Sequence, residues 1–271
     1  RARRVIILKS NREIGLIREA GKVVAEALDK VRELAVPGAR TIDLDRAVAA
    51  IFQRYGAVPL FKGVPGGRGK PPFPSSICAS INEQVVHGIP GARVLKEGDI
   101  LSIDTGCRLN GWCGDAAMTL AIGRVAPDVQ RLLKVTEETL AISIREMGRR
   151  RKWSEVAAIM EGYVHSHGYT LVEKFVGHGI GRDMHEEPQV PNFVSRALKK
   201  NDFWLEEGLV IAIEPMVNVG TKEVRVLGDH WTVETKDRRL SAHFEHTVAM
   251  TASGPQILTL PTVQALNAAT A

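Results

Sequence analysis

The sequence predicts an α+β fold assembled from two similar halves, and three observations carry that reading. A helix, a turn, a second helix, a closing glycine and then strands occur in that order twice. The two closing glycines, Gly56 and Gly168, lie 112 residues apart. Asp104 ends a strand-like run, and Glu214 ends another 110 residues later. Between strand-like runs sits Asn110-Gly111, a dipeptide that favours a two-residue hairpin because both residues tolerate positive φ. These features predict halves at about 10–123 and 128–250 within a single domain of 271 residues, long enough to bury a sizeable core.

The elements follow in order. Ser10-Asn11-Arg12-Glu13 reads as a capping box. Ile14, Ile17, Val24, Leu28 and Val31 continue at helical spacing, and Pro37-Gly38 closes the segment. Thr41 is expected to cap a second helix through Leu44, Val48, Ile51 and Phe52. Residues 63–74 are rich in glycine and proline and read as a loop, and 77–86 and 100–105 read as strands. In the second half Pro127 opens a helix through Leu132, Leu133, Leu140 and Ile144, ended by Gly148. Ser154 is expected to cap the next, through Val156, Ile159 and Tyr163. The tail after Pro255 carries no polar-site signature and is expected to lie on the surface or fray.

Composition narrows the class. Hydrophobic residues at 44% and charged residues at 25% give an ordinary globular balance. No apolar run approaches the ~20 residues of a membrane span. The basic start precedes only four apolar residues, too few for a secretory signal, although the chain starts without a methionine and a targeting segment before Arg1 stays open. Cys78, Cys107 and Cys113 are odd in number and irregular in spacing, which argues against a disulfide framework and fits a cytoplasmic setting. No Cys-x-x-Cys pair suggests a zinc finger. The net charge of +5 is mild, and its densest runs, Arg149-Arg150-Arg151-Lys152 and Lys199-Lys200, are either solvated helix faces or contacts to an anionic partner such as RNA.

The chemistry gathers on four acids and a glycine-rich stretch. With the turn at Asn110-Gly111, residues whose numbers sum to 221 face each other. Asp115 then faces Gly106 and shares a face with Asp104, roughly 7 Å away or less. Glu245 lies in the strand-like run 242–248. The stretch Gly177 to Pro188 holds His178 and His185 among three glycines. It reads as an extended, bent segment that brings imidazoles close to something small, or else as a surface loop in which the histidines are incidental. Buried carboxylates are costly unless compensated. Either each acid has its own arginine or amides, or the four converge with His178. In the second case four negative charges balance two divalent cations, and such donors suit Mn, Fe, Co or Zn. A shared carboxylate would hold two ions ~3.5–4 Å apart.

Several motifs resemble one family. They are Ile81-Asn82-Glu83-Gln84-Val85-Val86-His87-Gly88-Ile89-Pro90, the run from Asp99 to Asp104, Gly177 to Pro191, Ile213-Glu214-Pro215 and His243-Phe244-Glu245-His246. From about Ser10 to Met250 the chain is similar to the bacterial-type methionine aminopeptidases of the first type, which form subfamily A of their peptidase family. The second type carries an insertion between the two glutamates, and here only about thirty residues separate Glu214 from Glu245. The resemblance implies the pita-bread fold, a pseudo-two-fold antiparallel sheet with helices on its outer face. It implies two divalent ions on Asp104, Asp115, His178, Glu214 and Glu245, with Asp115 and Glu245 bridging. It further implies a metal-activated water that attacks the carbonyl after an N-terminal methionine. Glu214 is the expected proton carrier, His185 the oxyanion donor and His87 the contact to the scissile amide. Phe73, Cys78, Met184 and Trp231 match the methionine pocket, with Met184 replacing an aromatic usual in the family and loop 63–74 longer than expected. Asn82, Gln84 and Ser241 resemble a monovalent cation site.

The implied partner is the N-terminal methionine of nascent polypeptides, with a small second residue preferred. A monomer is expected, with transient ribosome contact through the basic runs and no membrane. Two alternatives stand beside this reading. One is an X-Pro aminopeptidase or prolidase-like relative of the same fold, which usually carries a large N-terminal domain and lacks a Trp231-like pocket. The other is a non-catalytic ribosome- or RNA-binding relative, against which the presence of all five ligands and both histidines argues.

Overall fold

The computed structural model describes residues 5–261. The Ser10 hydroxyl accepts from the Glu13 amide and the Glu13 carboxylate accepts from the Ser10 amide, and this capping box opens α1 (Asn11–Leu34). Helix α2 (Thr41–Tyr55) packs beside it and ends on Gly56 in the left-handed region, φ 64°. Thr41 begins α2 without capping it, because its hydroxyl instead donates to the Gly91 carbonyl and accepts from the Gly91 amide. A short β1 (Val58–Pro59) precedes the loop. The run 77–86 is not one strand: β2 (Ile77–Ile81) and β3 (Gln84–Val86) are separated at Asn82, whose φ of 58° breaks extended geometry. The expected strand 100–105 continues further, as β4 (Ile100–Leu109), and turns at Asn110-Gly111 into β5 (Trp112–Ala121).

In the second half α3 (Pro127–Met147) carries proline in its first turn, where no amide donor is needed. Helix α4 (Trp153–Ser166) is preceded by Lys152 at the cap position. Ser154 does not cap it, because its hydroxyl donates to Asp202. There follow β6 (Thr170–Leu171), β7 (Gly177–Gly179), β8 (Glu186–Val190), α5 (Arg196–Lys200), β9 (Val210–Ile213) and β10 (Met216–Asn218). The chain continues through β11 (Val224–Val226), β12 (Val233–Thr235), β13 (Ser241–His243), β14 (Glu245–Thr251) and β15 (Gly254–Ile257). The segment after Pro255 therefore does not fray at once: β15 pairs with β14, and Leu258 and Thr259 are buried. The expectation for the tail beyond residue 261 lies outside the described residues.

The main sheet is antiparallel throughout. Its centre runs β2–β4–β5–β14–β9–β7, with β1 also on β4, β8 beyond β7 and β15 on β14. Inward from β2 come β4, which holds Asp104, and β5, which holds Asp115; inward from β7 come β9, which leads to Glu214, and β14, which opens with Glu245. The seam between β5 and β14 is the midpoint of this order. Alternation assigns the faces. Leu101 and Ile103 of β4 pack under α1 and α2, as Ile211 and Ile213 of β9 pack under α3 and α4. Their neighbours Asp104 and Glu214 are thereby directed to the opposite face, away from the helices, where β13 packs against β4 and β5. Among the described residues, no helix is long and apolar enough to cross a membrane.

Candidate active site

The hairpin register is the one expected: Asp115 faces Gly106 and Asp104 faces Ala117. Ala117 faces Glu245 across the β5–β14 seam. His246 faces Ile213, so the β14–β9 register sets Glu214 beside Glu245. Asp104, Ala117, Glu245 and Glu214 thus form one row over four strands, with Asp115 two residues along from Ala117 on the same face. His246, next to Glu245, points to the other face, where its Nδ1 meets the Thr259 hydroxyl at 2.9 Å.

The glycine-rich stretch delivers the imidazole. A Cβ on Gly177 would run into the Ala212 carbonyl, and one on Gly179 into the Glu187 carbonyl, so this backbone approach needs glycine. His178 between them faces Ala212 of β9. Its Nδ1 lies 3.0 Å from the Gly179 carbonyl, which can only accept, so Nδ1 carries the proton. Nε2 is left with a free lone pair, 3.6 Å from Glu214 and 4.0 Å from Asp115. The following turn is held from two sides. The buried Lys9 ammonium donates to Glu186 at 2.6 Å, and the other Glu186 oxygen accepts from the Arg182 amide. The Arg182 guanidinium lies 4.4 Å from the centre of the Trp112 ring. Met184 and His185 ride on this turn, and the His185 ring centre lies 4.4 Å from that of His178.

Electrostatics separate the two readings of the acids. Among the described residues, no lysine or arginine forms an ion pair with any of the four; Asp115, Glu214 and Glu245 have the imidazoles of His178 or His243 within 4.0 Å instead. Burial, then Asp115 and Glu214, hold Asp104 well above the ordinary carboxylate range. Asp115 is pushed up to about 7 by burial. Burial and the neighbouring acids likewise raise Glu214 and Glu245. Burial also lowers the histidines, with His87 and His178 each brought down to about 4. Asp104 Oδ1, Asp115 Oδ1 and Glu245 Oε1 are buried and accept no hydrogen bond. Asp115, His178 and Glu245 each offer a ligand atom, all within 4.8 Å of one another. Unpartnered hard oxygens with one neutral imidazole fit divalent metal ions.

A cavity of about 200 Å³ opens over the acids. Phe73, Cys78, Met184 and Trp231, the four expected pocket residues, all line it and belong to one apolar cluster. Sequence reasoning missed Phe61 and Val64, which line the same wall. Their signal was weak, since both lie in or beside the irregular loop. That loop folds back on itself, with the Gly63 amide donating to the Phe73 carbonyl and the Phe73 amide to the Val64 carbonyl. His87 sits at φ 60° with its ring edge-on to Phe175 and Trp231, and His185 is exposed at the mouth.

Other expected groups are placed less simply. The Asn82 and Gln84 side-chain oxygens already accept from the Ile100 and Ile81 amides, whereas the buried Ser241 hydroxyl has no partner. Of the basic runs, Arg149 and Arg150 pair with Glu146, and Lys152 covers the ring of the exposed Trp204. His243 stands in one of the family-like motifs with no role implied for it, yet it is buried beside Glu214 and Glu245. The signal for it was its place two residues before Glu245, although the chain breaks at Phe244 and the two residues lie in different strands, β13 and β14.

Comparison with known proteins agrees over most of the chain. The model for metallopeptidase family M24 matches residues 15–252. Methionine aminopeptidase 1 of Bacillus subtilis (strain 168) is 44% identical over 255 residues, covering 94% of this chain and 99% of that one. The methionine aminopeptidase of Clostridium acetobutylicum is 46% identical over 259 residues, with the same coverage. The crystal structure of methionine aminopeptidase from Thermotoga maritima matches with a TM-score of 0.87 at 38% identity, covering 94% of this chain and 100% of that one. The chain belongs to metallopeptidase family M24, among its bacterial-type methionine aminopeptidases of the first type.

Proposed function

We infer that this chain is a metal-dependent aminopeptidase that hydrolyses the bond after an N-terminal methionine, preferring a small second residue. One observation carries the reading: a cluster of unneutralised carboxylates with a neutral imidazole forms one wall of a cavity whose other wall is apolar. Two divalent ions, Co, Mn, Fe or Zn, would be held by Asp104, Asp115, His178, Glu214 and Glu245. Ions of this kind supply Lewis acidity and lower the pKa of water by many units.

The side chains do the rest. Glu214 takes the proton of the attacking water and passes it to the leaving amine. His185 donates to the developing oxyanion, and His87 hydrogen-bonds the scissile amide nitrogen. Phe73, Cys78, Met184 and Trp231 receive the methionine side chain, an unbranched apolar chain in an apolar slot. The two halves act as one catalytic domain, since the donors are divided between them. The three free cysteines support a cytoplasmic setting. Because every donor comes from one chain, a monomer suffices. At the ribosome, Arg151, Lys199 and Lys200 are the contacts proposed from the basic runs. A monovalent cation near Ser241 would rely on its hydroxyl and on backbone carbonyls of residues 82 and 84.

The test is release of methionine from Met-Gly and Met-Ala peptides by the purified chain. Release should stop with a chelator and return with divalent metal. No release, or cleavage confined to X-Pro peptides, overturns the proposal.

A further inference from the structure

We propose that His243 orients the Glu214 and Glu245 carboxylates by presenting its Nε2 proton between them, and so sets how tightly the site holds divalent ions. This rests on the functional reading above. His243 is 1% exposed, and its Nε2 has no hydrogen-bond partner. Buried imidazole nitrogens are ordinarily paired. This one lies 4.0 Å from Glu214 Oε2 and 3.9 Å from Glu245 Oε2, just beyond hydrogen-bond length from both. A small turn of either carboxylate toward an ion-holding geometry brings it into reach.

The imidazole has little freedom to look elsewhere. The His243 amide donates to Thr119 Oγ1 at 2.8 Å, and Thr119 Oγ1 donates back to the His243 carbonyl at 2.8 Å. With that proton committed, Ser102 Oγ must be the donor in its 2.8 Å contact with Thr119. Ser102, Thr119 and Ser241 are all buried. A chain of hydroxyls from β4 and β5 thus pins the backbone of β13 at the residue whose side chain faces the acids. His178 differs: its Nδ1 proton is fixed on a carbonyl, so its Nε2 can only accept. His243 faces two acceptors and donates. Partners that hydrogen-bond metal-ligating carboxylates tune affinity as the ligands themselves do.

The experiment measures Mn²⁺ binding to metal-free wild type, His243→Leu and His243→Gln by calorimetry, with thermal melts of the metal-free proteins alongside. The Gln side-chain amide nitrogen reaches the position of Nε2 and donates. The Kd is expected to rise about 10–100-fold in His243→Leu and to stay within about threefold of wild type in His243→Gln. If the Leu variant does not fold, His243→Asn replaces it with the same expectation, because its amide stops short of the carboxylates. An unchanged Kd in the Leu or Asn variant overturns the proposal. So does an equal loss in His243→Gln, or a Co²⁺ visible spectrum altered by that substitution, either of which would make the imidazole a ligand. A wild type that binds Mn²⁺ tightly but releases no methionine sinks the functional reading and leaves this one standing. A wild type that binds no divalent ion overturns both.

Discussion

Ser80 and His178 occupy matching rungs of the two halves. Each lies on the strand beside the acid-leading strand and faces the residue two before the acid: Ser80 faces Ser102, and His178 faces Ala212. The outcomes differ. The Ser80 hydroxyl is engaged by the Gly88 amide at 3.1 Å, whereas His178 turns Nε2 toward the acids. Two rungs along, the first half places Cys78 opposite Asp104, in the apolar wall. The sheet therefore supplies two carboxylates from each side of the β5–β14 seam, while the side chains beside them divide the work. The first half builds most of the apolar slot, and the second supplies the imidazole.

The sharpest way to break this division is to exchange equivalent acids for amides. Glu214→Gln is expected to lower kcat by about 10²–10⁴-fold, even at saturating metal, because it removes the proposed proton carrier. Asp104→Asn should act mainly through metal affinity, so excess divalent ion restores most of its rate. Steady-state kinetics across a metal titration separates the two, and equal, metal-insensitive losses would mean the halves are not specialised.

A smaller effect tests the paired rungs themselves. His178→Ala should weaken Mn²⁺ binding roughly 10–100-fold, a loss at least as large as that from a ligand's hydrogen-bond partner. Ser80→Ala should leave binding untouched and cost about 1–3 kcal/mol of stability, the penalty for a buried amide left without its acceptor. Calorimetry and denaturant melts on both variants decide it.

The subtlest test is one of pH. Asp115 has a folded pKa of about 7, above its value near 3.9 in an unfolded chain. Its contribution to the stability of the metal-free protein is fully present below about pH 3.9 and is lost as pH rises through about 7. His178, brought down to about 4, works in the other direction, losing its contribution as pH falls from about 6.5 through about 4. The difference between wild type and Asp115→Asn reports the aspartate together with its hold on Asp104, Glu214 and Glu245, all of which its charge raises: the gap in melting temperature should move in the variant's favour between about pH 4 and about pH 8. A constant gap would show that neither Asp115 nor its coupling to the other acids titrates there.

Much of this arrangement was legible in the sequence because local chemistry set it. Asn110-Gly111 fixed the turn, the turn fixed the register, and the register put Asp104 and Asp115 on one face. The Ser10 capping box and the Gly56 stop were likewise local. What failed depended on distant partners. Ser154 looked like a cap, but its hydroxyl is drawn to Asp202, 48 residues away. The run 77–86 had strand composition throughout, yet Asn82 turns because its side chain bridges the Asp99 carboxylate and the Ile100 amide. The tail after Pro255 gained its place from β14 and His246, neither of which a sequence window contains. The seam between β5 and β14, which joins the acid pairs, had only the 110-residue repeat to suggest it.

Ala117 occupies a full rung between Asp104 and Glu245, flanked by backbones ~4.8 Å away on either side. Its methyl is the only side-chain bulk the sheet places between those two carboxylates along the row. The breadth of the gap they lean across is thus written by the residue that contributes least to it. A β-branched or longer side chain at that rung would fill the room meant for cargo while leaving each donor in place. The capacity of the centre is a property of its floor as much as of its donors.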